Sequence, residues 1–98
     1  MVWDLTVEGL DNGIYITIDL DARISAENRM VVLATVENRE WVLVKMDWSE
    51  NGIWRGSYNY GKDPTGEEIG IKIYCWERDL RVTVPSETKI EILLPAPA

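Results

Sequence analysis

Histidine and phenylalanine are absent from this 98-residue sequence, and cysteine occurs once, at Cys75. Without histidine the chain lacks the usual general base, the usual zinc ligand and the usual pH-sensitive side chain. A single cysteine excludes a disulfide bond within the chain. Because a reactive thiol needs an accessible, cationic setting, the position of Cys75 after Ile71 and Ile73 predicts a buried structural thiol.

Positive charge is also scarce. Ten Lys and Arg residues stand against 17 Asp and Glu residues, which gives a formal net charge of −7 at pH 7. Nucleic acid and anionic membrane surfaces attract proteins through clusters of Lys and Arg, so we expect neither as a partner. The negative net charge is compatible with a neutral or cationic ligand, or simply keeps the protein soluble. No apolar run approaches the ~20 residues of a membrane-spanning helix.

The aromatic residues are five Trp and four Tyr. Both types carry a polar group and suit half-hydrated surfaces, whereas a chain selected only for core volume would be expected to include Phe. The bias favours a recognition surface, with chance composition as the alternative in so short a chain.

Apolar and polar residues alternate along most of the chain, and no stretch has the periodicity of a helix. Turn residues such as Asn51-Gly52 separate the alternating runs. The pattern predicts an all-β fold, an antiparallel immunoglobulin-like β-sandwich of about eight strands, with an open barrel as the alternative. The residues predicted to lie in the core include Ile14, Ile16, Ile18, Val44, Ile71, Ile73, Val82 and Ile90.

The length predicts a single domain, which we place at residues 1–94. Residues 95–98, Pro-Ala-Pro-Ala, form a linker-like tail. The sequence leaves the compartment open, although this tail favours a module of a larger secreted protein.

Two predicted strands leave aromatic residues on the face opposite the core. In residues 41–48, we assign Val44 and Trp48 to the core and Trp41 to the outer face. In residues 69–76, the inward isoleucines leave Lys72, Tyr74 and Trp76 outward, and we expect a tight turn to follow at residues 77–79. Exposed aromatic rings usually mark a binding surface. The alternative is that a loop or a neighbouring domain covers both indoles.

Four short motifs follow one another in the segment from about Arg39 to Pro85, the first of them beginning at Asn38. They are Asn38-Arg39-Glu40-Trp41, Asn51-Gly52-Ile53-Trp54, Gly70-Ile71-Lys72-Ile73, and Trp76-Glu77 followed by Arg81 and Val82-Thr83-Val84-Pro85. This part of the chain resembles the starch-binding carbohydrate-binding modules, β-sandwich domains appended to amylases and glucoamylases. The resemblance implies that Trp41 and Trp76 stack on an α-glucan, that Lys72 binds a sugar hydroxyl and that Glu77 assists. It also implies an adjoining catalytic domain as partner.

Catalysis and metal binding have weaker support in the sequence. No pair among the 17 carboxylates is singled out for glycosidase chemistry. The acidic residues near Asp47 and Asp19 do not have the spacing of a calcium loop, so we interpret them as solvated turns. We therefore expect a non-catalytic polysaccharide-binding module without metal or cofactor. The alternative function is an immunoglobulin-like structural or protein-interaction module of a larger protein.

Overall fold

Residues 2–19, 31–37, 39–49, 52–73 and 76–91 are described by a computed structural model. They form nine strands in two antiparallel sheets, which confirms the predicted all-β sandwich. The strands are β1 (Val2–Leu10), β2 (Gly13–Asp19), β3 (Val32–Val36), β4 (Val42–Val44), β5 (Met46–Ser49), β6 (Ile53–Asn59), β7 (Glu68–Ile73), β8 (Trp76–Thr83) and β9 (Ser86–Glu91). Sheet I has the strand order β5-β6-β2-β1-β9, and sheet II has the order β4-β3-β7-β8.

Eight of the nine described strands lie in the order that immunoglobulin sandwiches use. Strands β1, β2, β6 and β5 lie side by side as strands A, B, E and D do in one immunoglobulin sheet. Strands β8, β7, β3 and β4 correspond to G, F, C and C′ in the other. In addition, β9 pairs with β1 and extends sheet I by one strand, with Asp4 opposite Lys89.

The core lies between the two sheets, and all eight predicted core residues are buried. Ile16, for example, is fully buried, and its strand is paired on both sides, with Val7 opposite in β1 and Gly56 opposite in β6. Complete burial of an isoleucine side chain stabilises a fold by about 1.5–3 kcal/mol. The β-branched residues that fill these strands therefore account for both the pleated conformation and the core.

The predicted strand at residues 41–48 is wrong in one respect, because it divides at Lys45. Its first part, β4, belongs to sheet II, and its second part, β5, belongs to sheet I. Gly56 on β6 makes this crossing possible: a Cβ atom there would lie 2.5 Å from the Lys45 carbonyl oxygen and 2.6 Å from Sδ of Met46. Val44 and Met46 are buried on either side of the crossing, so the alternation continues through it unbroken.

The assignment of Trp48 to the core is also wrong. Trp48 lies directly opposite Trp54 in the β5–β6 ladder, yet its exposed fraction is 42%, against 8% for Trp54. Strand β6 is flanked by β5 and β2, whereas β5 is the edge strand of sheet I. Trp48 therefore has a neighbouring strand on one side only, and water reaches its ring.

The expected turn at residues 77–79 is wrong as well, because these residues belong to β8. The backbone of Trp76 pairs with Ile73, and the β7–β8 register shifts between Ile71 and Ile73. Trp76 is thus on the strand after Lys72 rather than on the same strand. Tyr74, Cys75, the side chains of Trp76 and Glu77, and the tail at residues 95–98 lie outside the described residues.

Candidate functional site

The outer face of sheet II brings together an indole ring and two cationic side chains. Trp41 directly precedes β4, Lys72 is on β7 and Arg81 is on β8. Since the flanking residues Ile71 and Val82 are buried, Lys72 and Arg81 point away from the core. Of the residues predicted for the site, the structure brings Trp41 and Lys72 into contact.

Both cations lie close to the same ring. Nζ of Lys72 is 4.1 Å from the centroid of the Trp41 ring, and Cζ of Arg81 is 5.6 Å from it. Both distances fall within the ~6 Å over which a ring quadrupole attracts a cation. Two positively charged groups thus lie close to the ring of Trp41, which is half-buried.

Arg81 reaches Trp41 because Gly70 has no side chain. Gly70 lies opposite Arg81 on one side and opposite Thr35 on the other. A Cβ atom at Gly70 would be 2.7 Å from Nη1 of Arg81 and 2.7 Å from Cγ2 of Thr35. The guanidinium therefore lies across β7 in the space that a side chain would fill. The sequence pattern does not indicate Arg81 as a binding residue. Arg81 comes close to Trp41 only because Gly70, on a strand two away from β4, has no side chain.

The turn that carries Trp41 is fixed by Thr35. This residue is only 3% exposed although it lies on the outer face, and its Oγ1 donates a hydrogen bond of 2.5 Å to the carbonyl of Arg39. The Arg39 backbone N–H donates in turn to the carbonyl of Val36 at 3.1 Å. Two hydrogen bonds within the β3–β4 turn thus place Trp41 beside β3.

An apolar patch adjoins the indole. Leu43 is 64% exposed, and in the sheet it lies opposite Leu33, which lies opposite Lys72. We refer to Trp41, Lys72, Arg81, Leu33 and Leu43 together as the Trp41 surface. The outer face of sheet I differs from it, since its groove beside β6 is lined by polar and charged residues with one aromatic ring, Tyr15.

A charged cluster lies at the β3–β4 turn, at one end of sheet II. The Glu37 carboxylate pairs with Nη2 of Arg39 at 3.0 Å and with Nζ of Lys62 at 3.1 Å. The hydrogen bond from Lys62 lowers the pKa of Glu37. These contacts join the β3–β4 turn to the loop between β6 and β7, so we assign the cluster a structural role. Within the described ranges, no group of three or more His, Cys, Asp or Glu residues is arranged to hold a metal ion.

Tyr60, in the same loop, provides a test of this cluster at alkaline pH. Burial, with the nearby Glu67 and Glu37 carboxylates, raises the pKa of Tyr60 from 10.0 to about 12. Its hydroxyl donates a long hydrogen bond of 3.5 Å to Oε2 of Glu67. Because the folded state favours the neutral phenol, this stabilisation is complete below pH 10 and is lost as the pH rises toward about 12. Urea unfolding at pH 8 and pH 11.5, about 1.5 units above the ordinary tyrosine pKa, should show a larger loss of stability for the native chain than for Tyr60→Phe. Equal losses would contradict this role of the phenol.

No protein-family model, curated protein or solved structure matches the chain. The resemblance to starch-binding modules therefore stays a prediction from the sequence. The part of the chain that the structure describes contains no helix long and apolar enough to cross a membrane.

Proposed function

We propose that this chain is a non-catalytic polysaccharide-binding module whose ligand lies on the Trp41 surface. The observation that carries the proposal is the half-buried indole of Trp41, placed between hydrogen-bond donors and the exposed Leu43. Sugar rings present apolar C–H groups together with hydroxyls. Sites for such ligands combine apolar walls with a few polar groups, as this surface does.

The shape of the surface supports binding without catalysis. Among the residues that the structure describes, Leu43, Leu33 and Lys72 follow one another across three neighbouring strands and form a row on the outer face of sheet II. Because neighbouring strands lie about 5 Å apart, this row is about 10 Å long, and part of a polymer chain can lie along it. Binding of this kind keeps an adjoining catalytic domain near its substrate, and tethering makes a modest intrinsic affinity sufficient.

The resemblance to starch-binding modules suggests an α-glucan as the polymer. In that reading Trp76 joins Trp41 in stacking on the sugar rings, Lys72 binds a sugar hydroxyl and Glu77 assists. Tyr74, which strand alternation places on the same predicted face, is a further candidate contact. Affinity electrophoresis in gels that contain soluble starch, glycogen or xylan tests this proposal directly. We expect retarded migration in at least one gel relative to a polymer-free gel. Unchanged migration in all three polysaccharide gels would overturn the proposal.

An immunoglobulin-like protein-interaction module is the second candidate. The 64% exposure of Leu43 favours it, because exposed leucines next to an indole also suit a protein partner. This candidate predicts no retardation in any polysaccharide gel, so the same experiment separates the two functions.

A further inference from the structure

We infer that Thr35 is a positioning residue for the polysaccharide, because its hydroxyl holds the β3–β4 turn so that the Trp41 indole lies across β3. The inference rests on the proposed function and names a residue that acts on the ligand only through Trp41. Thr35 is almost completely buried, so a ligand on this face does not reach its side chain.

The Trp41 ring lies over the neighbouring strand β3 rather than beside β4. Cζ of Arg81 would be 2.9 Å from a Cβ atom on Gly70, so the guanidinium lies over β7. The centroid of the Trp41 ring is 5.6 Å from this Cζ atom. Strand β3 separates β4 from β7, and two strand spacings amount to about 10 Å. A ring that starts beside β4 and comes this close to a group over β7 therefore crosses β3.

Thr35 is the β3 residue that the ring crosses. Ala34 is opposite Val42 in the β3–β4 ladder, so the next residues along the two segments, Thr35 and Trp41, are level with each other. Thr35 lies on the outer face of sheet II, as Leu33 does. Leu33 is half-buried, whereas Thr35 is almost completely buried. An indole ring above Thr35 accounts for this difference.

The hydroxyl of Thr35 fixes the turn that leads to Trp41. Its Oγ1 donates a hydrogen bond of 2.5 Å to the carbonyl of Arg39, while its methyl carbon Cγ2 lies beside Gly70. The turn begins at Glu37, whose φ of 58° lies in the left-handed region, which is costly for a residue with a Cβ atom. Such a conformation persists only where surrounding contacts hold it, and the Thr35 hydrogen bond is one of these contacts.

Two ion pairs in the same turn are expected to contribute less than this hydroxyl. The Glu37 carboxylate pairs with Arg39 and Lys62, but the side chains of both cations are mostly exposed. Exposed ion pairs are screened by salt and commonly contribute little to stability. Water hardly reaches Thr35, so removal of its hydroxyl should have the larger effect on the turn.

Thr35→Val and Thr35→Ser form a matched pair for the test. Valine keeps the shape of threonine without the hydroxyl, whereas serine keeps the hydroxyl. Calorimetric titration uses whichever of starch, glycogen and xylan retards the native chain. Thr35→Val should bind about three- to tenfold more weakly, the effect of one hydrogen bond on an equilibrium, and Thr35→Ser should bind within about twofold of the native chain. Thr17→Val, which deletes a hydroxyl from β2 in sheet I, should bind as the native chain does.

A second measurement requires no ligand. In the ¹H–¹⁵N spectrum of the free chain, the indole N–H resonance of Trp41 should shift in Thr35→Val and stay in place in Thr35→Ser. The indole resonances of Trp48 and Trp54, on sheet I, should not move in either variant. Thermal melts verify that each variant is folded. If Thr35→Val does not fold, Thr35→Ala compared with Thr35→Ser isolates the same hydroxyl.

The contrary outcomes distinguish the inference from the proposed function. Native-like binding by Thr35→Val, an unmoved Trp41 resonance in that variant, or an equal loss of binding in Thr35→Ser would each overturn the role of the hydroxyl and leave the proposed function in place. If the native chain binds none of the three polymers, the proposed function fails. The Trp41 resonance of the free variants then still decides whether the hydroxyl holds the ring.

Discussion

Truncation of Trp41 to alanine is expected to weaken polysaccharide binding by about tenfold or more, as loss of a central aromatic contact commonly does. The change removes the apolar ring of the Trp41 surface and the partner against which Lys72 and Arg81 lie. Because Trp41 is half-buried, we also expect a loss of stability of about 1 kcal/mol, which leaves the domain folded. Calorimetric titration and a thermal melt measure the two effects separately.

Trp48→Ala is the matched control for Trp41→Ala. Trp48 is another partly exposed indole, but it lies at the edge of sheet I, away from the Trp41 surface. We expect this variant to bind polysaccharide as the native chain does. Equal loss of binding in the two variants would mean that the ligand does not distinguish the two sheets, and the assignment to sheet II would be wrong.

Truncation of Trp54 to alanine is expected to lower the free energy of unfolding by about 3–5 kcal/mol, the usual cost of deleting a buried aromatic side chain. Trp54 is 8% exposed and belongs to β6, which is flanked on both sides. A domain of this size commonly has a total stability of about 5–15 kcal/mol, so the variant would be close to unfolding. Urea denaturation monitored by circular dichroism gives the value.

The same experiment on Trp48→Ala should show a loss of about 1 kcal/mol or less, because an exposed side chain gives up little buried area. The two indoles are directly opposite in one ladder and differ in burial, so comparison of the variants isolates the effect of burial. If Trp48→Ala destabilised the domain as much as Trp54→Ala, the edge position of β5 would be contradicted.

The core was predictable because strand side chains alternate between two faces. In β2, Ile14, Ile16 and Ile18 occupy every second position, and all three are fully buried. This alternation can be seen in the sequence without knowing which strands pair. It was sufficient to predict the sandwich, although the strand order became visible only in the pairing of the sheets.

Alternation could not reveal where the chain changes sheet. Val44 and Met46, on either side of Lys45, belong to different sheets, yet both side chains point into the same core. The alternation of buried and exposed residues is therefore the same as in one continuous strand. It likewise could not distinguish Trp48 from Trp54, because edge and central strands share the same period. The charged residues 77–79 resembled a turn, yet they lie in β8, the edge strand of sheet II.

The candidate site was predictable in part. Trp41 and Lys72 each alternate with core residues along their strands, so the sequence predicted that both lie on one outer face. The structure places them in contact. Arg81 could not be included in the same way, because its approach depends on the pairing of Gly70 with both Arg81 and Thr35. A glycine within a strand was the available signal, since it often marks a close approach of another group.

The most direct measurement of the central claim is a two-dimensional ¹H–¹⁵N NMR titration of the labelled chain. A maltooligosaccharide and a xylooligosaccharide of similar length serve as separate ligands. The indole N–H of Trp41 and the backbone amides around Leu43, Lys72 and Arg81 should shift progressively with at least one of them. The indole of Trp48 and the amides around Arg55 on sheet I should not move. Shifts confined to sheet I, or no shifts with either oligosaccharide, would contradict polysaccharide binding at the Trp41 surface.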